Sequence, residues 1–447
     1  KCSTINDGIV AQRGTSTAWN LVAELRDGML GVKRHAAPAK MKRPDGTFAA
    51  TPEERAEVFA QSFGEQYERT ASFDASMPEL LRQRPVFEGL DHAPTDKEIH
   101  RALGKLRDTG PGDSGLVARL WKALGSTDEA FAIVRQMVLE FWESEEMPVE
   151  WETGLLKILP KKGDKSNPGN YRGIMLLEVA YKIIANIVYM RLNPIIESPD
   201  HVDHESQNGF RSLRGTCDAS YTVKQLAKKR REHGLESWIL FIDLVKAFDR
   251  VPRNSEKKPD KEKEKAAEAA SNEEIGMLWR VLLKYGVPPK IVRILIAMHE
   301  MVNVKFDVEG VVKTIRSIIG VKQGDLLGPP LFDLYIAAIM ETWRETSSYE
   351  LCTFRTRRDF QMTGRRFDTK GESFSVGDSE YADDTGLAFC SRLDVEEQTP
   401  HVMTHFSKWG MEIHAGVIDP MVHSGLLDFE ALAPTKGSKS EVLFCSK

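Results

Sequence analysis

Ser379-Glu380-Tyr381-Ala382-Asp383-Asp384-Thr385-Gly386-Leu387-Ala388-Phe389 sets two adjacent carboxylates between a polar turn and a short apolar run. Adjacent carboxylates repel, and keeping both ionised costs stability unless a cation lies between them. Hard divalent ions take oxygen ligands, so a strand-turn-strand tip bearing Asp-Asp is a candidate Mg2+ site. Asp pairs are also common in surface turns, and the pair alone decides nothing. Working outward, Leu240-Phe241-Ile242-Asp243-Leu244-Val245-Lys246-Ala247-Phe248-Asp249 has an acidic residue interrupting an otherwise buried β run. A buried charge without a partner is expensive, so Asp243 is expected at the end of a strand, facing a cleft; an exposed edge-strand position is the alternative. Two such carboxylate clusters on neighbouring strands would hold two Mg2+ ions, the arrangement of polymerases and nucleases.

The chain has 447 residues, enough for more than one domain or one large domain with insertions. With 61 Lys and Arg against 66 Asp and Glu, the net charge is −5, which excludes binding by bulk positive charge and leaves local patches to contact nucleic acid. A hydrophobic fraction of 41% with 28% charged residues is that of a folded, soluble chain. Apolar runs are broken far short of a membrane span, so no membrane partner is expected. The five scattered cysteines suggest neither a disulfide framework nor a thiolate zinc site, and point to an intracellular, reducing setting. His201 and His204, with Asp203 and Glu205, lack the spacing of a helix-borne zinc pair and read as surface polar residues.

Residues 1–52 lack sustained periodicity and read as a linker or peripheral segment; 53–150 read as a helical N-terminal region. Phe59, Phe63 and Tyr67, then Ile99, Leu103 and Leu106, then Phe131, Val134, Val138 and Phe141 mark successive helical packing faces. Gly110 to Gly115 resembles a phosphate-cradling loop but lacks the Gly-Lys-Ser/Thr ending, so a connecting turn is expected. From Gly154 strands and helices alternate: a strand over 155–159, a helix from Val179 up to Pro194, a strand over 238–245, helices over 275–285 and 290–299, a hairpin turning at Glu309-Gly310, and a helix over 331–343. Segment 254–274 is charged without an apolar face and reads as an exposed or disordered insertion; 347–378, with Arg355, Arg357, Arg358, Arg365 and Arg366, reads as an elaborated basic hairpin. Together these imply an α/β or α+β core.

Several ordered motifs from about Trp151 onward resemble the reverse transcriptases of non-long-terminal-repeat (LINE-type) retrotransposons. They run from Leu159-Pro160-Lys161-Lys162-Gly163-Asp164 with Asn170-Tyr171-Arg172-Gly173-Ile174, through Gln207-Asn208-Gly209-Phe210-Arg211, Phe241 to Asp249 with Arg250-Val251-Pro252-Arg253, and Gly320-Val321-Lys322-Gln323-Gly324-Asp325, to Tyr381-Ala382-Asp383-Asp384 and Ser438-Lys439-Ser440-Glu441. The resemblance implies the α+β form, a right-hand polymerase: helical fingers over 151–235, and over 236–447 a palm of small antiparallel sheet backed by helices. It implies a fragment, with the thumb missing after Lys447 and the family's endonuclease domain absent upstream. By the same resemblance Asp243, Asp383 and Asp384 are the catalytic, metal-binding carboxylates for two Mg2+ ions, with Mn2+ as a substitute. Lys161, Lys162 and Arg172 would clamp the triphosphate, with Lys439 near the pyrophosphate; Gln323 and Gly324 would lie against the incoming nucleotide; Arg211 would bind the template backbone.

By the same resemblance Phe248, five residues past Asp243, would sit beneath the sugar and collide with a 2′-hydroxyl, favouring dNTPs and disfavouring an RNA-dependent RNA polymerase; a core aromatic on the strand-to-helix turn is the alternative. The expected partners are an RNA template, a DNA primer and dNTP, and the family setting favours the nucleus over the cytoplasm; the oligomeric state stays open. Asp325 and Gly328 depart from the family pattern, and Asp325 is expected to bring a negative charge to the nucleotide site. That departure keeps open a second function, a decayed copy that only binds RNA or RNA–DNA hybrid.

Overall fold

The computed structural model describes residues 40–69, 72–202, 205–253, 275–299, 302–349, 351–357, 370–414 and 441–445. The insertion 254–274, most of segment 1–52, the pair Asp203 and His204, the basic residues Arg358, Arg365 and Arg366, and Lys439 lie outside the described residues.

β1 (Met41–Lys42) and β2 (Phe48–Ala49) form a hairpin ahead of α1 (Pro52–Tyr67). α2 (Asp96–Lys105), α3 (Ala118–Leu124) and α4 (Asp128–Ser144) follow, then β3 (Thr153–Pro160), β4 (Tyr171–Leu176), α5 (Val179–Ile196), α6 (Thr216–Glu232), β5 (Ser237–Ile242) and the single-turn α7 (Ala247–Arg250). The second half comprises α8 (Met277–Lys284), α9 (Pro289–His299), β6 (Val302–Val308), β7 (Val311–Ser317), α10 (Gly328–Thr346), β8 (Cys352–Arg357), β9 (Lys370–Val376), β10 (Asp378–Tyr381), β11 (Asp384–Phe389), α11 (Arg392–Lys408) and β12 (Glu441–Cys445). The α+β expectation holds, with mixed helices and small sheets.

Local chemistry sets the helix starts. In α1 and α2 a threonine N-cap, Thr51 or Thr95, accepts from the backbone N–H of Glu54 or Glu98, whose carboxylate reaches back to the cap. Such reciprocal pairs satisfy donors that a helix leaves open at its first turn. Phe59, Phe63 and Tyr67 then lie on one buried face of α1, with Phe63 edge-on to Phe306 of β6 at 6.2 Å between ring centres. The helical faces on α2 and α4 are likewise buried, and Gly286, at φ +81°, terminates α8.

One four-stranded sheet has the order β4–β3–β6–β7, with β3 and β6 parallel and the other neighbours antiparallel. The β6–β7 hairpin turns at Glu309 (φ +55°) and Gly310 (φ +90°), as the sequence indicates. The second, β10–β11–β5–β12, is wholly antiparallel, with α6 and α11 packed against it. α10 runs through the core, buried almost all round from Pro330 to Trp343.

Three expectations about element bounds change. Segment 1–52 is not all peripheral, because Met41 and Ala49 are buried and the Lys42 N–H donates to the Ser166 carbonyl at 2.8 Å. β5 stops at Ile242 rather than Val245, because the chain there turns into a left-handed Lys246 (φ +49°). α5 continues through Pro194 to Ile196; the proline's missing N–H costs one bond near the helix end, while Ile195 and Ile196 gain burial. The Gly110–Gly115 loop is a connecting turn: the Ser114 N–H and hydroxyl donate to the Glu178 carboxylate at 2.8 and 2.6 Å, where a phosphate would have to sit. Segment 347–378 does form a hairpin, β8–β9, at its described ends.

Candidate functional site

β5 and β11 pair antiparallel with Ile242 opposite Thr385, so one step further along each strand stand Asp243 and Asp384. β10 and β11 close with Tyr381 opposite Asp384, which leaves Ala382 and Asp383 as the turn. All three sequence-selected aspartates therefore sit at one end of one sheet, half-buried at 243 and 383 and exposed at 384. The backbone at Asp243 is clamped from the other side: its carbonyl accepts from the His414 N–H at 2.8 Å, and the Val245 N–H donates to the Glu412 carbonyl at 2.8 Å. Among the described residues no group of three or more His, Cys, Asp or Glu side chains already converges as a metal cluster. The donor set is nonetheless one of hard carboxylate oxygens at a shared strand end, the chemistry that suits Mg2+.

The turn has an unusual support. Ala382 holds a left-handed φ of +56°, costly for a residue with a Cβ. Buried Gln207 offsets this by bracketing it: its side-chain oxygen accepts from the Ala382 N–H at 2.8 Å and its amide nitrogen donates to the Ala382 carbonyl at 3.2 Å. The same oxygen accepts from the Gly209 N–H at 2.7 Å, and a Cβ on Gly209 would stand 2.3 Å from the Ala382 nitrogen. Only glycine allows so close an approach. Within Gln207-Asn208-Gly209-Phe210-Arg211 only Arg211 stands out in sequence, because a left-handed residue between a Tyr and an Asp-Asp pair leaves no one-dimensional signal that would mark Gln207 and Gly209.

Beyond Asp243, Phe248 on α7 stacks on Phe332 at 4.3 Å and 18° between ring planes, and meets Phe210 edge-on at 6.0 Å. Gln323 and Gly324 pack on β4: the Met175 N–H donates to the Gln323 carbonyl at 2.8 Å, and Gly324 lies at φ +106° where a Cβ would come 2.6 Å from the Met175 carbonyl oxygen. Arg172, exposed on β4, pairs in register with Leu159, next to the turn carrying Lys161 and Lys162, both exposed. Burial pushes the Asp249 carboxyl up to about 6, against the opposing pull of the Lys246 and Lys161 ammonium groups, which brings Lys161 electrically to the β5–α7 turn.

A profile of the reverse transcriptase (RNA-dependent DNA polymerase) family matches residues 159–416, a stretch that contains every one of these elements. The chain belongs to the reverse transcriptase family. Among curated proteins, this reverse transcriptase chain is 29% identical over 169 residues to the transposon TX1 uncharacterized 149 kDa protein of Xenopus laevis, covering 37% of the chain and 12% of that protein. It is 26% identical over 159 residues to a Pol polyprotein from the type-1 retrotransposable element R2 of Popillia japonica (36% and 21%). It is 24% identical over 307 residues to the RNA-directed DNA polymerase from mobile element jockey of Drosophila melanogaster (66% and 30%). The chain thus spans less than a third of the length of each of these relatives. The resemblance read from the motifs is borne out.

Two charged residues of the reverse transcriptase motifs lie elsewhere than sequence suggests. Asp325 is not exposed in a cleft: it is buried, accepting from the Tyr181 hydroxyl at 2.5 Å and from the Leu327 N–H at 3.3 Å, with the ring of His299 3.6 Å away. Buried Lys322, whose ammonium donates to the Met298 carbonyl at 2.6 Å and lies over the Tyr181 ring, supplies opposing charge. Arg211 is turned inward, its side chain 8% exposed and paired with Glu197 at 3.1 Å, so this placement lends no support to a template contact. The basic run Lys224–Arg231 lies on α6, where exposed Lys228 and Lys229 pair with Glu232 while Arg230 is buried and donates to the Glu236 carbonyl at 2.8 Å.

Glu380, three residues before Asp383, is a buried carboxyl pushed up to about 8 by burial and then by neighbouring Asp378, although Arg344 and the Ser206 hydroxyl at 3.0 Å favour its ionised form. Its ordinary value is 4.5, so between there and about 8 the folded chain keeps a proton that the unfolded chain releases. Stability from this group is therefore present at low pH and lost as pH rises through that window. Glu380→Gln should remove the slope: measured from pH 5 to 9 with chelator, the variant's Tm should gain on the wild type by a few degrees, at roughly 2–4 °C per kcal/mol. Parallel Tm profiles would refute a buried, proton-holding Glu380.

Proposed function

We propose that this chain is the polymerase core of a reverse transcriptase encoded by a non-LTR retrotransposon, which extends a DNA primer on an RNA template. The observation that carries this reading is the β5–β11 register, which brings Asp243 beside Asp383 and Asp384 from distant parts of the chain. In this reading β10–β11–β5–β12 with α6 and α11 is the palm, and the β3–β4 hairpin carrying Lys161, Lys162 and Arg172 belongs to the fingers. Asp243 and Asp383, with Asp384 beside them, would hold two Mg2+ ions, which when bound lower the pKa of an attacking hydroxyl and neutralise charge on the phosphates.

The chain's own residues do the rest. The Arg172 guanidinium and the Lys161 and Lys162 ammonium groups neutralise charge growing on the β- and γ-phosphates as pyrophosphate leaves. Phe248, fixed by Phe332 behind it, presents a ring edge where a 2′-hydroxyl would lie. The backbone at Gln323-Gly324, which glycine lets close directly onto β4, is held as the floor against which the nucleotide would lie. The inward, compensated Asp325 takes away the local reason to regard the chain as a decayed copy that only binds RNA.

The test is primer extension on poly(rA)/oligo(dT) with Mg2+ and dTTP or UTP, comparing wild type with Asp383→Ala. Incorporation of dTTP by the wild type and its loss in the variant are expected. Extension that survives the substitution would exclude this site, and RNA binding without any incorporation would favour the decayed copy.

A further inference from the structure

We infer that Gln66, on α1 and outside the residues matched to the family, is a positioning residue of the nucleotide site, an inference that rests on the polymerase reading. The α1 helix is anchored beside β7, where the Ile318 N–H donates to the Tyr67 carbonyl at 2.9 Å. From that anchored position the Gln66 side chain reaches the β5–α7 turn. Its amide nitrogen donates to Asp249 Oδ2 at 2.7 Å, and its oxygen accepts from Lys246 Nζ at 2.9 Å.

A neutral amide has one orientation that serves both neighbours, with oxygen toward the ammonium and NH2 toward the carboxylate. The turn needs such a tie. Lys246 is left-handed at φ +49°, α7 is four residues long, and a single turn of helix does not hold itself together. Asp249 is 6% exposed, and a carboxylate so placed requires hydrogen-bonded partners. The same turn starts at Asp243 and carries Phe248, and the charges of Lys246 and Asp249 are felt together with that of Lys161 from the β3–β4 turn. Gln66 therefore ties α1 to the β5–α7 turn, beside the place where the sugar and triphosphate would lie, and acts through Lys246 and Asp249 without touching substrate.

The experiment compares wild type, Gln66→Met (similar size, no polar group), Gln66→Glu (acceptor kept toward Lys246, a second carboxylate toward Asp249) and Gln61→Met. Gln61 lies on the same helix, where its amide donates to Glu65. Steady-state extension of oligo(dT) on poly(rA) is read as KM and kcat for dTTP and as preference for dTTP over UTP, alongside Tm. Gln66→Met removes both charge-assisted hydrogen bonds and, since they act on the nucleotide only through Lys246 and Asp249, should raise the dTTP KM about tenfold and lower the dTTP preference severalfold, with a smaller fall in kcat. Gln66→Glu should be the more severe at pH 8, and Gln61→Met should match wild type. Wild-type KM and preference in both Gln66 variants would overturn the inference alone, as would equal losses in Gln61→Met. If Gln66→Met does not fold, Gln66→Glu decides by the same criteria. A wild-type chain that extends no primer overturns the polymerase reading and this inference with it.

Discussion

Asp243→Asn is expected to lower the rate of dTTP incorporation on poly(rA)/oligo(dT) about a thousandfold, with Tm close to wild type. The side chain stands just past the last paired residue of β5, Ile242, so an isosteric amide leaves the ladder with β11 intact. What changes is charge. A carboxylate on a divalent ion contributes several kcal/mol of transition-state stabilisation, and about 4 kcal/mol corresponds to three decades of rate. The fall should appear in kcat at saturating dTTP, and circular dichroism and melting should show an unaltered fold. A variant keeping more than about a tenth of the wild-type rate would remove Asp243 from the metal set.

Phe248→Ala is expected to relax sugar selection, raising incorporation of UTP relative to dTTP by on the order of a hundredfold, the scale on which a shape-based pocket discriminates. The ring packs on Phe332 at 4.3 Å and edge-on to Phe210 at 6.0 Å, so its deletion also opens a gap. Because Phe248 is only half-buried, we expect a stability loss near the lower end for such truncations, about 2–3 kcal/mol. Phe248→Leu separates the two effects by keeping apolar volume while shortening the wall. It should melt close to wild type and show an intermediate nucleotide preference. An alanine variant that destabilises the protein but leaves the UTP to dTTP ratio unchanged would reduce Phe248 to a core residue.

Much of this was legible in one dimension because the signals were local. Helix faces such as Phe59, Phe63 and Tyr67 repeat at the helical period, and Glu309-Gly310 between two alternating runs can do little else than turn a hairpin. What stayed hidden depends on who faces whom. Asp325 reads as an intruding charge in sequence because nothing in its neighbourhood shows that Tyr181, from α5, and the nearby Lys322 will meet it in the interior. Arg211 reads as a cation free to meet the template backbone for the same reason, until Glu197 from the end of α5 closes on it.

The sequence by itself determined the mixture of strands and helices, the order of the motifs and the three candidate carboxylates, because strand alternation, turn chemistry, an acid inside an apolar run and an adjacent acid pair are all properties of neighbouring residues. Only the tertiary structure decided that the β5–β11 register sets those acids at one strand end, that Gln207 supports the strained Ala382, and that Gln66 of α1 ties Lys246 to Asp249. Each of those facts is a meeting of segments far apart in the chain, and such meetings are fixed by burial and hydrogen-bond satisfaction across the whole fold, which no local pattern records.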